Sequence, residues 1–376
     1  MLLAKGKDRI KNPMKLQVTQ ENLNQALGSV GRVANSRNTL PILSNVLIKT
    51  TNNRLSLAAT NLDIAIVHFI GAKISEEGAI TVPARLMQDF VSSLPAGVIE
   101  LELTNTKLKV TTDQYNSVVN GIVADDFPVM PTISEGNSWK IDASTLKKGL
   151  QQVVFAASSD ETRQVLTGVY IHTQDNKLFI AATDSYRLAE KEMGKNTQDV
   201  SVLVPATAMQ DLLRVMGDYE GEVSVTHDGQ QILFRVGDVE LTARLVEGSY
   251  PDYQKLIPSE FKSSVELKRS DFINVTKVSS LFARESAGSV TIELDDKSNR
   301  LSIRSVASQL GENTATAEGK VSGSGNITLN SRYLLDALQA LNGEDVFFGF
   351  NGKLEPTILK DPKDSGYKHI IMPLKS

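Results

Sequence analysis

Apolar and polar residues alternate from Met14 to Val18, the period of a half-buried strand. The period then lengthens: Leu23, Leu27, Val30 and Ala34 recur at helical spacing, and Thr19 supplies a side-chain oxygen to cap a helix running to about Asn35. The same order returns twice. Trp139 to Ile141 reads as strand, Asp142 as cap, and Leu146, Leu150, Val153 and Ala157 as one helix face. Ser264 to Leu267 reads as strand, followed by Ser270 or Asp271 as cap and a helix to about Arg284 with a less regular apolar stripe. Strand patterns follow each long helix: Asn45 to Lys49 with Leu55 to Ala59, Val169 to His172 with Leu178 to Ala182, and Val290 to Leu294 with Leu301 to Ser305. Asn52-Asn53 marks the first of the intervening turns. A shorter helix starts near Pro83, Pro205 and Asn330, and proline suits a first turn because its missing N–H would be unpaired there. Two helices and about eight strands per unit predict an α+β fold, with helices packed on one face of antiparallel sheet.

Short motifs repeat with the same step. Phe127-Pro128, Tyr250-Pro251 and Met372-Pro373 are spaced by 123 and 122 residues. Ala58-Ala59-Thr60-Asn61 returns 123 residues later as Ala181-Ala182-Thr183-Asp184. Val82-Pro83-Ala84 with Met87-Gln88-Asp89 returns as Val204-Pro205-Ala206 with Met209-Gln210-Asp211. Such repetition is a statement about architecture before it is one about chemistry. Pro128 to Asn137 and Pro251 to Ser264 read as linkers, which places three repeated domains at 14–135, 136–260 and 261–376. Residues 1–13 are basic, lack an apolar core of signal-peptide length, and read as an N-terminal extension.

Composition narrows the picture. The chain of 376 residues is too long for one core, which agrees with repeated units. No stretch approaches the roughly 20 apolar residues that span a bilayer, so no membrane partner is expected. Cysteine is absent, which excludes disulfides, thiolate nucleophiles and Cys-ligated metals, and makes a reducing cytoplasm the expected compartment.

The search for catalytic chemistry is mostly negative. The four histidines, His68, His172, His227 and His369, are isolated in sequence, belong to no metal-ligand spacing, and read as structural. Gly323-Ser324-Gly325 lacks the context of a dinucleotide site and reads as a flexible turn. Asp125-Asp126 and Asp295-Asp296 read as solvated turn residues. Asp184 is the best single catalytic candidate, yet Asn61 at the equivalent place suggests that both cap a turn. No catalytic residue, metal site or cofactor is expected.

Charge placement says more than the net charge of −4. The long helices and their C-terminal ends carry Arg32, Lys147, Lys148, Lys277 and Arg284, while Glu21, Asp142 and Asp271 sit at the N-terminal ends, where the helix dipole accounts for them. Gln25, Gln151 and Gln152 complete these faces with neutral polar groups. A common polyanion fits such faces, but an acidic chain cannot grip nucleic acid by counterion release alone. Encirclement removes that conflict.

The three repeats, the Ala-Ala-Thr-Asp-Ser-Tyr-Arg-Leu run at 181–188, the Tyr250-Pro251-Asp252-Tyr253 segment and the Met372-Pro373-Leu374 tail together resemble the bacterial DNA polymerase III β sliding clamp family. The resemblance implies a head-to-tail homodimeric ring around double-stranded DNA, with helices lining the hole and sheets outside. It implies a processivity factor without catalytic activity, which tethers polymerase to template. Arg32, Lys147, Lys148, Lys277 and Arg284 would face the hole, and Arg163 would reach DNA near the rim. Clamp loader, polymerase and repair proteins would insert linear peptides into an apolar groove. The matching positions are Leu166, Thr183, Ser185, Tyr186, Arg187 and Leu188, then Pro251 and Leu256, then Asn330, Tyr333, Ile370, Met372, Pro373 and Leu374. Arg187 and Tyr333 would orient the peptide by hydrogen bonds. Ring closure would pair Ser117 to Val119 with Leu281 and Phe282 of a second copy.

This chain departs from the family pattern where Ser185-Tyr186 replaces a common Gly-His, where Ala287 replaces an aromatic, and where Gln164 and Val165 replace tyrosines of some members. Two rivals stand beside this reading. Trimeric clamps of the archaeal and eukaryotic kind carry two such units per chain, and an enzyme on duplicated α+β domains would need a convergent polar cluster.

Overall fold

Alternation and helical periodicity translate into a regular succession of elements, in a computed structural model that describes residues 13–34, 40–133, 135–307 and 311–375. The first repeat holds β1 (Met14–Thr19), α1 (Gln20–Ala34), β2 (Asn45–Thr51), β3 (Arg54–Thr60), β4 (Ile64–Ile70), β5 (Lys73–Glu76) and β6 (Ala79–Pro83). It ends with α2 (Ala84–Ser93), β7 (Val98–Thr104), β8 (Lys107–Thr111), β9 (Asn116–Asn120) and β10 (Ile122–Val123). The second holds β11 (Asn137–Asp142), α3 (Ala143–Val153), β12 (Gly168–Gln174), β13 (Lys177–Thr183) and β14 (Arg187–Lys195). β15 (Ser201–Pro205), α4 (Ala206–Met216), β16 (Glu222–His227), β17 (Gln231–Val236) and β18 (Val239–Arg244) complete it. The third holds β19 (Ser263–Lys268), α5 (Arg269–Phe282), β20 (Ser289–Asp295), β21 (Arg300–Ala307), β22 (Gly311–Glu318) and β23 (Lys320–Ser322). It closes with β24 (Gly325–Asn330), α6 (Ser331–Ala340), β25 (Asp345–Phe350), β26 (Thr357–Asp361) and β27 (Asp364–Ile371).

All pairings are antiparallel, and two nine-stranded sheets dominate. One runs β10-β6-β2-β3-β4-β18-β17-β16-β11, joining first and second repeats where Ala65 pairs with Thr242. The other runs β15-β12-β13-β14-β27-β26-β25-β19-β23, joining second and third where Leu188 pairs with Ile370. A five-stranded sheet, β5-β1-β7-β8-β9, and a four-stranded sheet, β22-β21-β20-β24, remain. The compact units follow the sheets: one holds Met1–Ala143 and Arg214–Arg244, the other Ser144–Leu213 and Leu245–Ser376. The middle repeat therefore gives strands to both.

The predicted stripe of α1 is buried at Leu23, Leu27, Val30 and Ala34, and Thr19 Oγ1 accepts the Asn22 N–H at 3.3 Å. The expected end at Asn35 lies outside the described residues. The Asn52-Asn53 turn has both residues at positive φ, 48° and 59°, and its counterpart Asp175-Asn176 repeats this at 50° and 59°. Asparagine and aspartate tolerate that region because their short side chains bond locally.

Several boundaries differ from expectation. α3 stops at Val153, and Ala157 caps a separate 3-10 turn, Val154–Ala156, rather than extending the helix face. That break turns the Phe155 carbonyl toward Arg187 Nη2, 2.9 Å away. α5 is preceded by Lys268, not capped by Ser270 or Asp271, because the Arg269 N–H finds the Glu344 carbonyl at 2.8 Å instead. It ends at Phe282, so Arg284 lies on its own 3-10 turn, Arg284–Ser286. Pro83 is the residue before α2 and the last of β6, one position earlier than a first-turn proline. The segment 251–264 is mostly exposed but anchored at Tyr253, which is buried against Leu188 and Ile370. Gly323-Ser324-Gly325 is tied down: Ser324 Oγ donates to the Asp296 carboxylate at 2.7 Å, and a Cβ on Gly323 would collide with the Lys262 carbonyl.

Candidate functional site

The Thr183–Arg187 turn, between β13 and β14, organises the expected groove. Asp184 Oδ1 accepts the backbone N–H of Tyr186 at 2.9 Å and of Arg187 at 3.0 Å, and Thr183 Oγ1 donates to the Arg187 carbonyl at 2.6 Å. The first repeat builds the same turn with Asn61 Oδ1, which accepts from Asp63 and Ile64 at 3.1 and 2.8 Å. Leu62 and Ser185 occupy the same place in it, both at φ 79°. Asp184 is thus a turn cap shared by two repeats.

Arg187 is held from all sides. Nε donates to Asp184 Oδ2 at 3.1 Å, Nη1 to Asp336 Oδ2 at 2.6 Å and Nη2 to the Phe155 carbonyl at 2.9 Å. Its guanidinium lies 5.2 Å from the Phe155 ring centre and 4.6 Å from that of Tyr333, a double cation–π contact. With its side chain only 12% exposed, Arg187 joins the β13–β14 turn to α6 rather than presenting a free guanidinium to a ligand. Its partners Phe155 and Asp336 were not legible as site residues, because they meet Arg187 only through tertiary packing.

Below this corner, Leu188 and Ile370 share a core cluster with Ala181, Tyr253 and Ile358. Leu166 and Thr183 are also buried. The C-terminal tail runs alongside: the Met372 N–H donates to the Tyr186 carbonyl at 2.8 Å and the Leu374 N–H to the Thr328 carbonyl at 2.9 Å. Proline between them has no N–H to satisfy. Met372, Pro373, Leu374, Tyr333 and Asn330 are half-buried, whereas Ser185, Tyr186, Pro251 and Leu256 are exposed, Tyr186 at 57% and Leu256 at 47%. The tail is thus tied to the Tyr186 turn by its main chain, Leu188 and Ile370 pack beneath with Tyr253, and Pro251 and Leu256 stand exposed on the segment that carries Tyr253.

Asn330 spends its side chain on structure. Oδ1 caps α6 by accepting from Arg332 at 2.9 Å and Tyr333 at 3.4 Å, and Nδ2 donates to the Ala287 carbonyl at 3.3 Å. Beyond it opens a cavity of about 500 Å³ lined in part by Arg284, Ala287, Arg332 and Asp336.

The basic positions divide into two groups. Arg32, Lys148 and Lys277 stand exposed on α1, α3 and α5, and Lys147 is half-buried on α3. On α1 the exposed stripe is Glu21, Gln25, Gly28 and Arg32, opposite the buried one. Arg163 instead pairs with Asp160 at 2.9 Å and donates to Ser185 Oγ at 3.0 Å, against the groove turn. Ser117 and Val119 lie on β9, an edge strand of the five-stranded sheet, with Val119 buried and Val118 exposed. Leu281 is exposed on the last turn of α5 and Phe282 is half-buried.

The histidines are dispersed. His68 bonds Ser29, His172 bonds Tyr253 and His369 bonds Tyr367, at 3.1, 2.7 and 3.1 Å, while His227 meets the Trp139 ring edge-on. Burial is the leading cause holding all four below the usual imidazole pKa, His369 at about 3. Among the described residues no cluster of three or more His, Cys, Asp or Glu could hold a metal, and no helix is long and apolar enough to cross a membrane.

Three repeats of two helices on antiparallel sheet are the architecture of the clamp class of proteins. The chain belongs to the DNA polymerase III beta subunit family, whose N-terminal, central and C-terminal domain models match residues 14–131, 140–252 and 254–375. It is therefore a sliding clamp, a processivity factor and a non-catalytic subunit. It is 33% identical to the beta sliding clamp of Synechococcus elongatus, over 96% of this chain and 99% of that protein. The Bartonella birtlesii clamp bound to griselimycin superposes with a TM-score of 0.92 at 29% identity, covering 97% of this chain and 100% of that one. The Caulobacter crescentus clamp, with polyethylene glycol in a putative beta-motif tethering region, gives 0.91 at 30% identity, with coverage of 97% and 100%.

Proposed function

We propose that two copies of this chain close head to tail into a ring around duplex DNA, and that the ring tethers a replicative polymerase to its template in the cytoplasm. The domains of this clamp are 14–135, 136–260 and 261–376; the family-model spans support three domains and the first boundary, and start the third at 254. One observation carries the closure. Each nine-stranded sheet joins five strands of one repeat to four of its neighbour, and the strands left over are one set of five ending in β9 and one of four ending in β22. Pairing them between copies makes the same nine-stranded sheet again and covers two open edges that would otherwise template aggregation. Ser117 to Val119 of one copy would meet Leu281 and Phe282 of the other.

DNA then needs no tight grip. A closed ring leaves only at an end or by opening, so weak phosphate contacts suffice and permit sliding. Arg32, Lys147, Lys148 and Lys277, on the helices, are the DNA-facing set. Arg163 and Arg284 stand apart from it, the first engaged with Asp160 and Ser185, the second on a turn beyond α5.

The surface from Leu166 and Leu188 through Leu256 to Met372, Pro373 and Leu374 takes apolar anchors of linear peptides from polymerase, clamp loader and repair proteins. Methionine adapts to varied peptides. Arg187 acts as the brace of that surface rather than as its peptide donor. The test is primer extension on a single-primed circle with loader and polymerase. Products should lengthen severalfold with this chain, and unchanged lengths at equal polymerase loading would refute the tethering role.

A further inference from the structure

The cavity beyond Asn330 has the chemistry of a second recognition element. It measures about 500 Å³ and lies between the turn after α5 and the first turns of α6. Its wall is preformed: the Ser331 N–H donates to the Gly288 carbonyl and the Gly288 N–H to the Ala283 carbonyl, both at 2.8 Å, and Asn330 fixes Ala287 from the other side. Ala287 and Gly288 are both left-handed, at φ 54° and 80°, so the chain folds back tightly enough to leave space where a bulky side chain at 287 would stand.

Two exposed guanidinium groups border this space, Arg284 and Arg332, and neither is ion-paired with a described residue. The one carboxylate on the wall, Asp336, already serves Arg187 at 2.6 Å. The cavity thus has two cations in excess over one committed acid. Asn330 lines it and also belongs to the groove surface, so a chain lying in the groove can reach it without a break.

We propose that this cavity is an acidic-residue subsite: Arg284 and Arg332 receive the carboxylate of an Asp or Glu flanking the apolar anchors of a partner peptide. The proposal rests on the peptide-groove reading above. Charge-assisted hydrogen bonds from paired guanidinium groups favour a carboxylate over a hydroxyl, and the fixed walls reduce the ordering cost of binding. A DNA phosphate is the poorer occupant, because a duplex backbone does not enter a pocket of this size.

Fluorescence anisotropy on the full chain tests this with three labelled peptides: Gly-Ser-Leu-Leu-Phe-Ser-Gly, Asp-Asp-Leu-Leu-Phe-Ser-Gly and Gly-Ser-Leu-Leu-Phe-Asp-Asp. One acidic peptide should bind about tenfold tighter than the neutral one, a gain screened by salt. The Arg284→Ala/Arg332→Ala variant should erase that gain while binding the neutral peptide as before. Equal affinity for all three peptides would overturn the subsite and leave the groove standing. Failure of every peptide to bind would overturn the groove and the subsite with it. An acidic preference that survives in the variant, with retention on circular duplex DNA lost, would assign the two arginines to DNA and overturn the proposal.

Discussion

Arg187 concentrates the energetics of the candidate groove. Its three hydrogen bonds and two ring contacts connect Asp184, Phe155, Asp336 and Tyr333, and removal leaves two carboxylates facing each other without their cation. Arg187→Ala should cost about 3 kcal/mol in urea unfolding, most of it from the uncompensated charges. Asp184 was legible because Asn61 occupies the same place one repeat earlier, and both accept the same pair of backbone N–H groups. Asp336 was not, since nothing local marks an acid on α6 as the partner of an arginine 149 residues away. His369 gives a second residue-level expectation. Burial first, and then Arg187, hold its pKa at about 3, below the usual value, so the unfolded chain binds a proton that the folded one refuses. Stability from this group is complete above about pH 6.5 and declines as pH falls toward 3, by about 2 kcal/mol at pH 5. Denaturant titrations at pH 7.5 and 5 should show the decline, and His369→Gln should reduce it, leaving the part due to the other three histidines.

Helix termini show what periodicity reads well and what it misses. The buried stripe of α1 and the cap at Thr19 were legible because both depend on residues adjacent in sequence. The start of α5 was not, because its Arg269 N–H is satisfied by Glu344, a group on the bend between α6 and β25 that no local pattern announces. The end of α3 was overread for a related reason: Ala157 fits the helical period, but Phe155 is drawn into the Arg187 cluster and the helix breaks first. At α6 the cap is local and strong. Asn330→Ala should cost about 1–2 kcal/mol in urea unfolding and free the Ala287 turn, whereas Asn330→Asp should retain the cap and lose only the bond to Ala287.

At the scale of the whole molecule, repeat spacing exposed three units, while sheet continuity across repeats was invisible in sequence because edge pairing depends on which strands end exposed. That continuity gives ring closure its logic: nine strands at each junction, with five and four awaiting partners. Under the proposed closure, Leu281→Asp should weaken self-association at least about a hundredfold by sedimentation, since it would place a charge in an apolar contact between copies. The central claim, that an acidic chain serves DNA by being threaded rather than by gripping, is tested most directly on a nicked circle. The chain is loaded, washed in high salt, and the circle is then cut once. Threading predicts retention through the salt wash and release on cutting. Loss in salt while the circle is intact, or retention after both ends are free, would contradict it.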